Sequence, residues 1–408
     1  MKIPLDFQIC DNRDSKKLNK QSFSGYKKLN VFQAFEKALF EDKIEDSLHW
    51  SIEIIASGYI EEMWERLFAF VSKHINIANV EVISYIRKRY DTYRNFIRYS
   101  NIESVFQLRN HQQFRNLICE IVCVICRSRK MKLTTLKKVK KEELRSATLK
   151  QRIQATAVIN GSIIKYNDPN EIKIVSNEFL YNIRNLNLQN TLFWFSWMVE
   201  WDKLNVKKLK EFKCAFRPQK NIDSKLSTDF IWLIWEIILK EARNKNINYV
   251  KEVIDLHYLF IQNYKKSKKN KRLLLVVCAI KILFFSGFSE PNIIDDYTVI
   301  IRASNTINFM YKDKKKFENA YKEAHKILKF QNVQRRDYKL QNNPYYQGQS
   351  QNQLYPQSQT QQVRVRKPKK KKKTKNISDE SLTKLNLVMG MGKIIRKDEY
   401  NSSRLSNL

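Results

Sequence analysis

A chain of 408 residues, 43% apolar and 12% aromatic, is long enough for two or three buried cores and too apolar for disorder over most of its length. Its 7 Gly and 7 Pro are too few for a sheet-rich fold or a glycine-built phosphate cradle, because tight turns and positive φ call for glycine, and an all-α fold is expected. A net charge of +35, from 76 Lys+Arg against 41 Asp+Glu, points to a polyanionic partner.

Residues 1–29 are polar without a sustained period and read as an extended lead-in, and the opening MKIPLDFQICDNRDSKK has no apolar signal core. Residues 30–130 read as a first helical domain. Apolar side chains recur there at three- and four-residue steps: Phe32, Phe35, Leu39, then Leu48, Ile52, Ile55, then Ile60, Met63, Leu67, Phe70. Ser57-Gly58 and the corner Asn76 to Asn79 break successive helices. Further helices are expected over 80–98 and 114–127. Residues 131–175 form a basic connector. Its Lys130 to Arg152 part carries charge all round the helix wheel and reads as a solvated helix. Its 155–175 part, with Asn160-Gly161 and Asp168-Pro169, reads as a small hairpin or an irregular linker.

Residues 176–330 read as a second helical domain. Thr191-Leu192-Phe193-Trp194 matches Ser47-Leu48-His49-Trp50, Trp232 and Trp235 match Trp64 and Leu67, and Ile247-Asn248 matches Ile75-Asn76. A divergent duplication with an insertion over Lys203–Leu226 would account for this, and so would shared helical periodicity. Residues 331–375 hold a Gln-rich stretch and then RVRKPKKKKKTK, a composition that cannot bury enough surface to fold. Residues 376–408, with Ser378 as N-cap and Leu382, Leu385 and Val388 on one face, read as a docking segment for a protein partner.

The stretch SLHWSIEIIASGYIEEMWERLFAFVSKHINIANVEVI (47–83) resembles the helical collar region that follows the ATPase in clamp-loader-like AAA+ proteins of the replication-associated maintenance type. Leu48, His49 and Trp50 match that family's Leu-aromatic-Trp helix, Arg66 and Leu67 its Arg-Leu helix, and Asn76, Ile77, Ala78 and Asn79 its polar corner. The resemblance implies an oligomerising or scaffolding helical module. The departure lies upstream, where the family carries its ATPase and this sequence has the polar stretch 1–29, so the implied role is that of an adaptor.

Catalytic and cofactor chemistry finds little footing. No Gly-x4-Gly-Lys-Ser/Thr or Gly-x-Gly-x-x-Gly is present, and His49, His74, His111, His257 and His325 are scattered singly. Cys119, Cys123 and Cys126 have the Cys-x3-Cys-x2-Cys spacing of a cluster-binding loop, but FRNLICEIVCVICRSRK reads as an amphipathic helix that aligns three thiols in a core. Six cysteines without a disulfide framework suit a reducing compartment. The seven tryptophans sit at helical spacing to other apolar residues and read as core, against base stacking as the alternative. RLLLVVCAIKILFFSGF (272–288) has eight apolar residues before Lys281, short of the ~20 that span a bilayer, so no membrane is expected. No catalytic, cofactor-binding or metal residue is therefore assigned, and no enzyme activity is expected.

The basic clusters carry the functional reading. From Gln331 onward there are 17 basic and 5 acidic residues, so +12 of the +35 lies in the tail and +23 in the body. An AT-rich coding sequence would inflate Lys without function, whereas phosphate binding would need clusters at helix ends. Such clusters are Lys137, Lys138, Lys140 and Lys141, then Lys265, Lys266, Lys268, Lys269 and Lys271, then Lys312, Lys314, Lys315 and Lys316. Lys369, Lys370, Lys371, Lys372 and Lys373 after Pro368 resemble a nuclear localisation signal, or serve as a nonspecific tether. The expected function is a non-catalytic nucleic-acid-associated scaffold in DNA replication or repair. It would act in the nucleus or at a cytoplasmic viral replication site, with DNA the favoured partner and homo-oligomers compatible. The alternative is a packaging protein of a large DNA virus, and an enzyme with an unrecognised site comes third.

Overall fold

Behind a short α1 (Ser15–Leu18), Phe32, Phe35 and Leu39 share one fully buried face of α2 (Lys28–Phe40). The computed structural model describes residues 3–341 apart from 12, 14, 101, 132–135, 159–161, 210–212, 246, 288–292 and 294–295. α3 (Ile44–Ala56) carries Glu45 and Asp46 in its first turn, where they meet the positive end of the helix dipole, and buries Leu48, Ile52 and Ile55. It ends where the sequence breaks. Gly58 adopts φ +74° and donates to Ile55 O, and a Cβ there would stand 2.6 Å from the Phe106 ring. α4 (Ile60–Phe70) buries Met63, Trp64 and Leu67 and runs into a π turn, Val71–Ile75. Asn76 then turns the chain at φ +39°, its amide donating to Met131 O at 2.9 Å and accepting from Ile77 N at 2.7 Å.

α5 (Glu81–Tyr99), α6 (Val105–Leu108) and α7 (Gln112–Arg127) complete the first stretch. The second consists of α8 (Ser146–Arg152), α9 (Asn170–Arg184), α10 (Leu188–Leu209), α11 (Phe230–Asn244), α12 (Val250–Ile261), α13 (Lys269–Leu283) and α14 (Thr298–Gln341). The protein is all-α. Among the described residues there is no strand, only an isolated bridge between Gln21 and Lys27. The chain divides into two compact units, Met1–Lys315 and Lys316–Leu408, the boundary falling within α14. Both helical stretches contribute to the first unit, where α5 packs along α12 and α13 against α4.

Two connector expectations are corrected. Lys130 to Arg152 is not one helix: residues 136–140 have no regular structure, Lys141–Leu144 is a 3₁₀ turn, and α8 is short. The carbonyls that a helix would pair internally are taken by α10 instead, with Ser196 Oγ donating to Lys137 O at 2.6 Å and Trp197 Nε1 to Glu143 O at 3.0 Å. Of the two readings of 155–175, the hairpin is not formed among the described residues, which are irregular up to Pro169, and Asp168-Pro169 then starts a helix. Pro169 precedes α9 at φ −59°, and the buried Asp168 carboxylate accepts from Lys165 N, Ala215 N and Arg217. The turn expected at Asn160-Gly161 lies outside the described residues, as do the Gln-rich stretch beyond 341, Lys369 to Lys373 and the segment 376–408.

Two of the buried charge clusters tie helices together. Glu53, on α3 and fully buried, accepts from Ser22 Oγ at 2.5 Å, Ser24 N at 2.7 Å and Lys314 Nζ at 2.7 Å. Burial alone would push its carboxyl up, but the Lys314 charge and these hydrogen bonds hold it below the usual value. A second joint ties the two stretches together: Ser84 Oγ on α5 lies 2.7 Å from both Glu252 and Asp255 of α12, all three being buried. A hydroxyl has one proton, so it serves only one of these carboxylates at a time. Burial raises the Asp255 carboxyl above 3.8, while Ser84, Arg87 and Lys251 pull it back and Glu252 adds to the rise.

Lys314→Ala leaves Glu53 buried without its cation, and urea unfolding is expected to show a loss of about 3–5 kcal/mol. A loss within the roughly 0.5 kcal/mol typical of surface sites would refute the joint. Because folded Asp255 holds its proton more tightly than the unfolded chain does, its contribution is greatest at low pH and is lost as pH rises above 3.8 through the folded value. Asp255→Asn should therefore gain stability relative to the parent protein between pH 4 and 7, and a pH-independent difference in urea titrations would contradict this.

Candidate nucleic-acid interface

The first basic cluster lies on the irregular segment 136–140 and the 3₁₀ turn that follows it. Lys138, Lys140 and Lys141 line a cleft of about 900 Å³ together with Ser196, Val199, Glu200, Lys203 and Leu204 of α10 and Leu273 of α13. Ser196, Val199, Glu200, Lys203 and Leu204 follow the i, i+3, i+4, i+7, i+8 rule, so helical spacing puts them on one face. Lys203 was not among the expected binding residues. The face was legible from its period, but what packs opposite it was not. Lys203 pairs with Glu200 at 2.8 Å.

The second cluster splits. Lys265, Lys266 and Lys271 are exposed. Lys268 turns inward to Glu65 at 2.8 Å, beside Arg272 Nε on the same carboxylate at 3.0 Å. Lys269 is buried and bridges Asp202 of α10 and Asp229, the N-cap of α11, at 2.7 Å each. Burial works against the Lys269 charge, but the two carboxylates more than offset it and hold its pKa above the ordinary value. Burial, with the Asp229 charge beside it, pushes Asp202 up although Lys269 pulls it back. Lys268 and Lys271 line a second, mixed-charge cleft of about 530 Å³ with Glu36, Glu61, Glu62 and Glu65. Thus one turn of α13 lies between the two clefts, presenting Leu273 to one and Lys271 to the other.

The third cluster is not drawn into this region. Lys314 is buried on Glu53, Lys315 is half-buried with Nζ 3.4 Å from Cys10 Sγ, and Lys312 stands over the Phe7 ring at 6.0 Å. Lys316 is exposed and belongs to the second unit. Phosphate contact was expected of Lys268, Lys269 and Lys314, and the structure places all three on internal carboxylates instead, because their helix positions face neighbouring acids.

The other constellations fall into the core. Trp64, Trp194, Trp197, Trp232 and Trp235 are at most 2% exposed, which removes them as base-stacking surfaces. Trp50 and Trp201 are half-buried, Trp201 stacked on Trp197 at 6.2 Å. Cys119, Cys123 and Cys126 are fully buried on one helix, α7, and no group of three or more His, Cys, Asp or Glu among the described residues is placed to hold a metal ion. Burial pushes His74 and His257 down to about 4, so neither adds positive charge at neutral pH. No described helix is long and apolar enough to cross a membrane.

Comparison with models of protein families found no match, and neither did comparison with curated proteins or with solved structures.

Lys269→Met strands Asp202 and Asp229 and is expected to cost about 3–5 kcal/mol in chemical denaturation. Lys266→Gln should stay within about 0.5 kcal/mol of the parent protein. Equal effects would remove the distinction between inward and outward lysines.

Proposed function

We propose that this chain is a non-catalytic nucleic-acid-associated scaffold or adaptor that meets the phosphate backbone through Lys137, Lys138, Lys140 and Lys141, with Lys265, Lys266 and Lys271. One observation carries the reading. These seven side chains are exposed and make no ion pair among the described residues, although the neighbouring Lys268 and Lys269 are both paired. Uncompensated like charges repel one another, and a polyanion relieves that repulsion while its condensed counterions are released. No aromatic side chain lines the cleft that holds Lys138, Lys140 and Lys141, which favours contact with backbone over contact with bases there.

The resemblance of 47–83 to the clamp-loader-like collar supports a place in DNA replication or repair. Within that stretch Leu48 and Leu67 lie in the core, and Asn76 turns the chain at positive φ. Lys369 to Lys373 would direct the chain to the nucleus or tether it at a viral replication site. The +12 tail equally suits packaging of a large viral genome.

The test is a salt series of DNA and RNA titrations with the full chain. Replacing Lys137, Lys138, Lys140 and Lys141 by Gln should weaken binding to all sequences alike. It should also flatten the log–log salt slope, by about 0.9 for each duplex phosphate that is no longer neutralised. An unchanged slope would sink the proposal. Binding that disappears only when Lys369 to Lys373 are replaced would favour the packaging tether.

A further inference from the structure

The cleft beside Lys138, Lys140 and Lys141 has a floor that phosphate backbone would not use. Leu136, Val139, Leu144, Val199, Leu204 and Leu273 line it, and the four leucines are only half-buried. Contact with a nucleic-acid backbone engages the lysine tips and leaves this aliphatic surface wet. Bases gain most by stacking on aromatic rings, and no aromatic side chain lines the cleft. The volume of about 900 Å³ falls in the range of pockets that enclose small molecules, which combine an apolar lining with a few polar groups. Four lysines and two glutamates complete the lining: Lys203 is neutralised by Glu200, while Lys138, Lys140 and Lys141 make no ion pair among the described residues and outnumber the remaining acid, Glu142.

We propose that this cleft binds a free amphiphilic anion, an aliphatic chain ending in a phosphate or carboxylate head. The chain lies against the six aliphatic side chains, and the head meets Lys138, Lys140 and Lys141. The argument is one of complementarity on two counts: apolar surface with a hydrocarbon, and unpaired positive charge with an anionic group. It does not depend on the nucleic-acid reading, because the aliphatic floor and not the lysine count selects the ligand.

The test titrates the full-length protein calorimetrically with a series of alkyl phosphates, from hexyl to dodecyl, below their micelle concentrations. Inorganic phosphate and anionic phospholipid vesicles run in parallel. One-to-one binding is expected, tightening about fourfold per added methylene until the chain fills the cleft. Inorganic phosphate should bind at least a hundredfold more weakly than dodecyl phosphate. Leu273→Asn, which removes apolar surface without adding charge, should weaken dodecyl phosphate at least tenfold while leaving DNA affinity unchanged. Should that variant fold poorly, the chain-length dependence of the parent protein decides alone. Affinity independent of chain length would overturn the proposal, as would unaltered binding in a folded Leu273→Asn protein. Association with vesicles but not with monomeric alkyl phosphate would overturn it too, assigning the lysines to a membrane surface.

Discussion

An ammonium group taken out of water needs a carboxylate or gives up its charge more easily, and that constraint sorts the described lysines: burial pushes Lys281, which meets no acid, below the ordinary value, whereas three others meet carboxylates. Lys314 reaches Glu53, Lys269 bridges Asp202 and Asp229, and Lys268 shares Glu65 with Arg272. Each of these contacts locks one helix to another, so the charges hold the helical packing in register. The lysines on the irregular segment 136–140, and Lys265 and Lys266 ahead of α13, make no such pair and stay in water. Positive charge available to a partner is therefore the remainder after the fold has satisfied its interior.

The same logic shapes the joint between the two helical stretches. Apolar faces alone would let α5 and α12 slide along each other, whereas Ser84 set against Glu252 and Asp255 fixes one register through directional hydrogen bonds. Tyr258 OH adds a contact to Asp91 at 2.5 Å on the same pair of helices. Beside α13, Arg272 donates to Phe260 O and to Glu65, so one guanidinium ties together α13, α12 and α4. Two runs of helices that are far apart in sequence thus close into a single unit.

Much of the candidate site was legible one element at a time. The exposure of Lys137, Lys138, Lys140 and Lys141 follows from a run too charged to bury, and the core placement of five tryptophans follows from their helical spacing. The fate of Lys269 did not follow, since Asp202 and Asp229 lie far from it in the chain and no local pattern announces a long-range acid. Lys203 escaped notice because a single lysine on α10 gains meaning only from the segment packed opposite. The connector from Lys130 to Arg152 misled for a related reason. Its residues suit a helix, but Ser196 and Trp197 of α10 capture its carbonyls, and those hydrogen bonds outweigh intrinsic propensity.

By itself, the sequence determined the helical class, the helix breaks at Gly58 and Asn76, and the inward faces of α2, α3, α4 and α7. Those properties depend on periods of three and four residues and on backbone angles that glycine and asparagine tolerate, all of them local. Tertiary structure alone decided which lysines are neutralised, that Leu273 of α13 faces the segment 136–144 across a cleft, and that α5 lies on α12. Those outcomes depend on which distant side chains arrive within hydrogen-bonding reach, and helical periodicity carries no information about that.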